Sequence, residues 1–321
     1  MPFISFVIFV LLQIVFVPLA FPGVLLVAYR QMVVSKKLGI SQTAIEVLNG
    51  RWTMHAFGMR DDPATARLAS VLPNTSLAGL WLVLFPLWVK YKLSGQLFMY
   101  PRVPEEGREN IANMMIARTL YFDEIIEARI DEVEQFVVLG AGYDTRAYGK
   151  FNREGVTFFE LDQSSIQAHK RKALVDAGID ADHVRFATVN FEAENAFDKL
   201  IEAGYDPSKK TLFLWEGVTL YLSEADVRKM MTDIHAHAAP GSVLLADIYA
   251  DRFLKIGKNK LGEKALDYTS EGLVFGLPFD GDYRTTLSDF IESEGMSVGK
   301  THFMGSASKK GPFVAVVEMK V

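Results

Sequence analysis

The sequence of 321 residues contains no cysteine, and this absence excludes several kinds of chemistry. Disulfides, thiolate catalysis, cysteine-based zinc sites and iron–sulfur clusters all need cysteine. Half of the residues are hydrophobic and 23% are charged, a balance that excludes wholesale disorder. The chain is therefore expected to fold as two modest domains, or as one large α/β domain with an appendage.

Acidic residues are scarce in the first 100 positions. That part holds eight basic residues against three acidic ones, a net charge of +5, and the rest of the chain carries −10. The basic residues are Arg30, Lys36, Lys37, Arg51, Arg60, Arg67, Lys90 and Lys92, and the acids are Glu46, Asp61 and Asp62. A basic, apolar front end predicts contact with an anionic lipid bilayer. The total charge of −5 gives no support to nucleic-acid binding.

Charges are missing altogether from Phe3 to Ala28, where Gln13 is the only strongly polar side chain. As a helix this segment would reach about 39 Å, enough to cross a hydrocarbon core of about 30 Å. A cleaved signal peptide is disfavoured because no basic residue precedes the apolar run. We expect membrane insertion, and the alternative is a pair of helices buried in a core.

The basic residues that directly follow this segment place its C-terminal end, and the domain after it, in the cytosol. A second apolar stretch, Leu77–Val89, is short for a span and is expected to be interfacial or re-entrant. A further possibility is a monotopic hairpin over residues 3–34 that turns at 18–23, near Pro18 and the Pro22-Gly23 pair.

From about residue 101 the pattern changes to short apolar strands that alternate with helices. A helix is predicted over residues 105–134, and another begins after Ser223 and stops at Pro240-Gly241. Strands are predicted at Phe136–Leu139, Thr157–Leu161, Val184–Val189, Thr211–Trp215 and Ser242–Ile248, with a closing antiparallel pair at Met296–His302 and Pro312–Met319. This predicts an α/β, doubly wound, Rossmann-like sheet at 101–321, preceded by a helical membrane-anchoring region at 1–100.

Ligands of such a sheet bind beyond the carboxyl ends of its strands. At these ends of the first four predicted strands lie, in order, Gly140-Ala141-Gly142, Asp162, Asn190-Phe191 and Glu216-Gly217. Glycines allow close backbone approach, and a carboxylate about 20 residues later is placed to bind a ribose diol. The third glycine of a dinucleotide motif is missing, because position 145 is Thr. A nucleoside without a diphosphate, such as S-adenosylmethionine, therefore fits better than a dinucleotide.

Four segments together resemble the leucine carboxyl methyltransferase family, which includes bacterial O-methyltransferases that esterify carboxyl groups of metabolites such as polyketides. The segments are Arg118-Thr119-Leu120-Tyr121-Phe122-Asp123, residues 137–148 with the glycine motif, Glu160-Leu161-Asp162-Gln163 and Glu216-Gly217-Val218-Thr219-Leu220-Tyr221-Leu222. The resemblance runs from about 105 to 320 and implies the fold of class I methyltransferases. It does not extend over the first 100 residues.

The resemblance also implies roles for individual residues. Arg118 would pair with the methionine carboxylate of S-adenosylmethionine, and Gly140, Ala141 and Gly142 would line the backbone beneath it. Asp162 would hold the ribose, Asn190 and Phe191 the adenine, while Glu216 and Tyr221 are the candidate catalytic residues next to the methyl acceptor. The family usually has Asp where this chain has Asn190, so weaker cofactor binding is expected.

For several of these residues a purely structural role is an alternative. Arg118 could pair with Asp123 or Glu124, Asp162 could cap the next helix, and Asp144 and Arg146 are expected to pair with each other at the glycine turn. His235 and His237 lie two positions apart on a helix and face different sides, so no metal site is predicted.

The expected activity is a membrane-associated carboxyl O-methyltransferase acting on a hydrophobic small-molecule acid. A carboxylate is already ionised near pH 7 and needs no general base, whereas a phenol or alcohol would need one. Segment 250–280, with Phe253, Leu254, Leu273, Phe275 and Phe279, could form an acyl groove or an ordinary packed insertion. The alternatives are a hydroxyl methyltransferase and a membrane-tethered scaffold with a degenerate pocket.

Overall fold

The computed structural model describes residues 2–191, 193–257 and 272–321. The chain forms two compact units, each assembled from several segments. One comprises Met1–Val103, Tyr143–Lys150 and Ala168–Asp180, and the other Pro104–Gly142, Phe151–Gln167 and Ala181–Val321. The first unit therefore contains the whole N-terminal region together with two short later segments that the sequence pattern did not connect to it.

The first unit is helical. Its elements are α1 (Pro2–Ala28), a π-helical turn (Tyr29–Val34), α2 (Ser35–Leu38), α3 (Gln42–Ala56), α4 (Pro63–Val71) and α5 (Leu77–Ser94). Polar N-caps begin the last three: the side chains of Ser41, Asp62 and Ser76 accept hydrogen bonds from the amides of Ala44, Thr65 and Gly79. By length and apolar composition, two described helical segments could cross a membrane, Phe3–Leu38 and Leu77–Ser94.

The hairpin considered for residues 3–34 is wrong, because α1 continues without a break through Pro18 and Pro22. Each proline removes one helical N–H donor, and helices in apolar surroundings tolerate such a loss when neighbouring helices support them. Here α5 supplies that support, since Phe16 stacks on Phe85 and Gly23 contacts Gly79 on either side of the two prolines.

The second unit is built on a seven-stranded sheet in the order β3-β2-β1-β4-β5-β7-β6. The strands are β1 (Gln135–Leu139), β2 (Thr157–Asp162), β3 (Val184–Thr188), β4 (Thr211–Trp215), β5 (Val243–Tyr249), β6 (Ser297–Met304) and β7 (Val314–Lys320). The first five run parallel, and β7 lies antiparallel between β5 and β6. The doubly wound sheet and its closing antiparallel pair are confirmed.

The helices that follow α5 in the chain lie before and between the strands. They are α6 (Met114–Arg129), α7 (Ser164–Asp176), α8 (Ala196–Glu202), α9 (Glu224–His237), α10 (Asp251–Gly257) and α11 (Tyr283–Glu292). The prediction for α9 is confirmed, as the Ser223 side chain caps the Asp226 amide. The prediction that α6 starts at 105 is wrong. Asn110 and Asn113 use their side-chain oxygens to cap local amides there, which favours turns over helix.

Segment 250–280 lies partly outside the described residues, which leave out 258–271. Residues 275–279 behave as a packed insertion, because Phe275 and Phe279 are buried in the core with the strands of the sheet. Strands β1, β4 and β5 are buried along their whole length, so polar groups at their carboxyl ends are held by a rigid base.

Candidate active site

The glycine turn after β1 is pinned to the end of β2. The amides of Gly140 and Ala141 both donate to the carbonyl oxygen of Leu161, at 2.9 and 3.0 Å. Gly140 and Gly142 have φ values of +69° and +47°, in the left-handed region that favours glycine. A Cβ at Gly140 would also lie 2.5 Å from Cγ2 of Val218, so the turn has no room for a side chain there.

Asp162 ends β2 with its carboxylate fixed at both oxygens. Oδ2 accepts a hydrogen bond from the Gly142 amide at 2.6 Å, and Oδ1 accepts one from the Gln163 amide at 2.7 Å. The residue is half-buried. The sequence placed Asp162 beside the glycine turn, and the structure brings the two into direct contact.

Arg118 lies on α6 and is only 5% exposed. Its Nη1 donates to Asp247 Oδ2 at 2.9 Å and to the Tyr249 hydroxyl at 2.6 Å, and its Nε lies 3.3 Å from Glu216 Oε1. The ion-pair partners considered from the sequence, Asp123 and Glu124, are thus replaced by two acids from strand ends. Arg118 and Glu216, both predicted site residues, form one buried network.

Asp247 is the centre of this network, and sequence reasoning missed it together with Tyr249. Both oxygens of Asp247 lie within hydrogen-bond distance of the Gly217 amide, at 2.9 and 3.0 Å, and Oδ2 also accepts from the Tyr249 hydroxyl. A signal was present: Asp247 is the single charged residue in β5 and lies two residues before that strand ends at Tyr249.

Burial and neighbouring charges shift the pKa values of the groups in this network. Burial alone lowers the pKa of Arg118, but Tyr249, Asp247 and Glu216 together raise it above its usual value, so the guanidinium stays charged. Burial raises the pKa of Asp247, and Arg118 and the Gly217 amide oppose that shift. Burial also raises the pKa of Tyr249 well above its usual value, so its phenol remains a donor.

The remaining predicted residues share the same edge of the sheet. Asn190 is exposed, and its amide donates to Glu194 Oε2 at 2.8 Å. Phe191 is half-buried and packs against the core. Tyr221 ends a 3-10 turn (Thr219–Tyr221), and its amide donates to the Val218 carbonyl.

Asp144 and Arg146, expected to pair, do so within the first unit. Arg146 Nη1 lies 2.5 Å from Asp144 Oδ2, and the Arg146 amide donates to Oδ1 at 2.7 Å. The structure adds two partners that were not predicted: Arg51 Nη1 at 2.8 Å from Oδ2, and Lys170 Nζ, which donates to the Asp144 carbonyl.

A cavity of about 660 Å³ opens in the second unit near the carboxyl end of β5. Its lining comes from the segment before α6, from α10 and from the β6–β7 connection, namely Glu109, Asn110, Ile111, Ala112, Arg252, Phe253, Gly305, Ser308, Lys310, Gly311 and Phe313. Val314, at the start of β7, pairs with Tyr249 at the end of β5, so the cavity lies at the edge of the sheet that carries Asp247. Its volume suits a small organic molecule.

The charged groups around this cavity differ in their hydrogen-bond and ion-pair partners. Glu109 accepts hydrogen bonds from the Tyr121 hydroxyl and from the Gly305 amide. Arg252 binds Asp280 and the carbonyls of Gly311 and Pro312. Within the described ranges the Lys310 ammonium has no ion-pair partner, and the side chain is exposed. In the part of the chain that is described, no three His, Asp or Glu side chains are grouped as a metal site.

Known proteins match this region of the chain. Residues 84–235 match the family model "Leucine carboxyl methyltransferase". A Mycolicibacterium smegmatis protein assigned as an S-adenosyl-L-methionine-dependent methyltransferase is 32% identical over 191 residues, 59% of this chain and 63% of that protein. A second protein from the same organism, with the same assignment, is 37% identical over 202 residues, 59% of this chain and 64% of that one.

Solved structures match at lower identity. A Mesorhizobium loti S-adenosylmethionine-dependent methyltransferase shares 11% identity, with a TM-score of 0.44 and coverage of 62% of this chain and 96% of that one. This chain spans a little under two thirds of the length of the two M. smegmatis relatives. Together with the strand order and the glycine turn, these matches show that the chain is similar to S-adenosylmethionine-dependent methyltransferases and, over residues 84–235, to the leucine carboxyl methyltransferase family.

Proposed function

We propose that this protein is an S-adenosylmethionine-dependent O-methyltransferase that esterifies the carboxyl group of a hydrophobic small molecule at a membrane. The observation that carries the proposal is the Asp162 carboxylate, oriented by the Gly142 amide beside a glycine turn that excludes side chains. The assignments of the M. smegmatis relatives support the same reaction class.

The residues at the sheet edge fit this cofactor. Both oxygens of Asp162 are oriented by backbone amides and keep lone pairs for the hydroxyls of a ribose. Asn190 and Phe191 would take the adenine, and Arg118 would place its positive charge beside the methionine carboxylate, with Glu216 next to the acceptor. When bound, S-adenosylmethionine supplies a methyl group on a sulfonium.

The cavity of about 660 Å³ is our candidate for the acceptor site. Ile111, Phe253 and Phe313 give it apolar surface, and Lys310 offers an exposed cation to an acid. Because a carboxylate is ionised near pH 7, the protein has only to position it and exclude water. A hydroxyl acceptor would need a base, and Glu109, the one carboxylate among the lining residues, already accepts two hydrogen bonds.

Membrane association rests on α1. Its side chains are apolar, and many are exposed in the protein, among them Phe3 at 77%, Ile14 at 67% and Phe21 at 70%. Such an area is far larger than the apolar patches of most soluble monomers. An acceptor dissolved in lipid would be available to an enzyme held at that surface, with its catalytic domain in the cytoplasm.

The first test is calorimetric binding of S-adenosylhomocysteine to the full-length protein in mild detergent. We expect micromolar binding, at least tenfold weaker in Asp162→Ala because hydrogen bonds to a charged group are lost. Asp289→Ala, which removes an exposed carboxylate from α11, is the matched control and should bind as wild type. A folded protein that binds nothing would support the scaffold alternative.

The second test identifies the acceptor group by transfer of labelled methyl from S-adenosylmethionine to a panel of apolar acids and phenols. Mild alkali releases methanol from a methyl ester and leaves an aryl ether intact. Lys310→Gln should raise KM for acids about fivefold, as expected for an exposed ion pair of about 1 kcal/mol, and the neighbouring Lys309→Gln should not. Alkali-stable products would establish the hydroxyl alternative instead.

A further inference from the structure

We propose that α1 lies flat along the membrane, immersed in one leaflet, and does not cross the bilayer. The inference rests on the membrane association proposed above and specifies its geometry. It places the acyl region of an anionic leaflet against the exposed face of α1. All of the contacts that support it lie within the first unit.

Helix α1 packs antiparallel along the full length of α5. Near the start of α5, a Cβ at Gly79 would lie 2.8 Å from the Gly23 carbonyl oxygen, so the two backbones nearly touch. In the middle Phe16 stacks on Phe85 at 5.2 Å, and just beyond the end of α5 Phe98 contacts Phe9 at 5.5 Å. The two helices are therefore aligned side by side.

Helix α5 is covered by α3 at several positions along its length. Trp81 packs on Trp52 at 5.2 Å, and Trp88 Nε1 donates to the carbonyl of Ala56 at 3.1 Å. One turn further on, Tyr91 contacts Phe57, the residue that follows α3. The last turn of α3 therefore lies against residues 81–91 of α5.

Helix α3 is polar and cannot lie at the depth of a hydrocarbon core. It carries Glu46, Asn49 and Arg51, and Arg51 forms a buried ion pair with Asp144. If α1 crossed the bilayer along its normal, the aligned α5 would cross with it and would hold Trp52 and Ala56 of α3 at the depth of the hydrocarbon core, together with the Arg51–Asp144 ion pair beside them. Such groups are expensive in hydrocarbon, so α1 must lie in the plane of the membrane.

The charges around α1 and α5 complement an anionic leaflet. No acidic residue precedes Glu46 in the sequence, and none occurs between Pro63 and Pro104. Arg30, Lys36 and Lys37 follow α1, while the exposed Lys92 stands at the opposite end of the pair, where α5 ends. A helix immersed in one leaflet would keep basic residues at both ends near the phospholipid headgroups.

The orientation is tested with single cysteines, for which the cysteine-free chain gives no background. One full-length variant carries Gly-Ser-Ser-Cys ahead of Met1, and the other carries Lys172→Cys, an exposed site in the same unit. Each is expressed in a bacterium, and a membrane-impermeant maleimide is applied to spheroplasts and to inverted vesicles. We expect both cysteines to react in inverted vesicles and neither in spheroplasts.

Reaction of the N-terminal cysteine in spheroplasts, with Lys172→Cys reacting only in inverted vesicles, would mean that α1 spans and would overturn the proposal. Recovery of the protein in the soluble fraction as a dimer cross-linked through the N-terminal cysteine would mean that a second copy covers α1, and would overturn it too. Neither result affects cofactor binding, so it stays separate from a failure of the methyltransferase assignment.

Charge complementarity has its own test with vesicles of 70% phosphatidylcholine and 30% phosphatidylglycerol. Lys36→Gln with Lys37→Gln should weaken binding about 10- to 30-fold, since each basic residue near an anionic surface contributes about 1 kcal/mol. The adjacent pair Lys209→Gln and Lys210→Gln, in the other unit, is the control and should bind as wild type. Equal binding of both double variants would overturn the proposal that an anionic leaflet covers α1.

Discussion

Arg51 and Asp144, 93 positions apart in the sequence, form a buried ion pair of 2.8 Å within the first unit. Burial alone raises the pKa of Asp144, but Arg146, Arg51 and Lys170 hold it well below its usual range. The N-terminal region therefore does more than provide the proposed membrane anchor. It supplies a counter-ion to the segment that begins one residue after Gly142, the last glycine of the proposed cofactor turn.

Replacing Arg51 with Met should lower the free energy of unfolding by about 3 kcal/mol, because one partner of a buried ion pair is removed. Urea unfolding of full-length protein in mild detergent measures the change. Arg67→Met, which removes an exposed arginine that binds the Gly178 carbonyl, should change it by less than about 0.5 kcal/mol. Equal stability of the two variants would show that the Arg51–Asp144 pair adds nothing to the free energy of unfolding.

Gly140→Ala should destabilise the protein by at least about 1 to 2 kcal/mol, the cost of a left-handed backbone for alanine. The added Cβ would also press on Val218 Cγ2. Combining it with Val218→Ala should recover the steric part but not the backbone part. A double-mutant cycle in urea unfolding measures this coupling, and strict additivity would contradict the predicted contact.

Tyr249→Phe should cost about 1 to 2 kcal/mol of stability, because the buried Asp247 and Arg118 both lose a hydrogen-bond partner. Tyr283→Phe is the matched control, since within the described ranges the Tyr283 hydroxyl forms no hydrogen bond to another residue. Thermal unfolding of both variants beside wild type makes the comparison. A loss as large in Tyr283→Phe would mean that the effect is not specific to the network.

His169 gives the stability a pH dependence that can be measured. Burial, and secondly Lys172, lower its pKa, and its Nδ1 is hydrogen-bonded to the Tyr143 hydroxyl at 2.7 Å. In the unfolded chain a histidine takes up its proton near pH 6.5, before the folded one does. The contribution of His169 to the free energy of unfolding is therefore complete above about pH 6.5. It is lost as the pH falls toward and through the lower pKa of the folded state.

His169→Gln should accordingly flatten the fall in unfolding free energy between about pH 7 and pH 5. Urea unfolding at several pH values gives the slopes. An unchanged slope in His169→Gln would show that another group titrates.

The first four strands were predictable because each is a short, largely apolar run with a glycine, an amide or an acid at or just after its end. Asp162 was found for the same reason, by its position at the end of a strand. The Arg51–Asp144 pair could not be predicted, since nothing local to Arg51 indicates a partner so distant in the chain. The start of α6 was misplaced because the side chains of Asn110 and Asn113 cap local amides and so compete with helix formation. The spacing of hydrophobic residues, on which the prediction rested, carries no information about such caps.

The assembly of the first unit from distant segments sets an order of events during synthesis. Arg51 leaves the ribosome 93 residues ahead of Asp144, a delay of about 5 to 20 s at 5 to 20 residues per second. In the second half of that interval α1 and α5 have both emerged, while the segments that complete their unit have not. A nascent chain that met the bilayer in this window would be tethered before its methyltransferase domain folds.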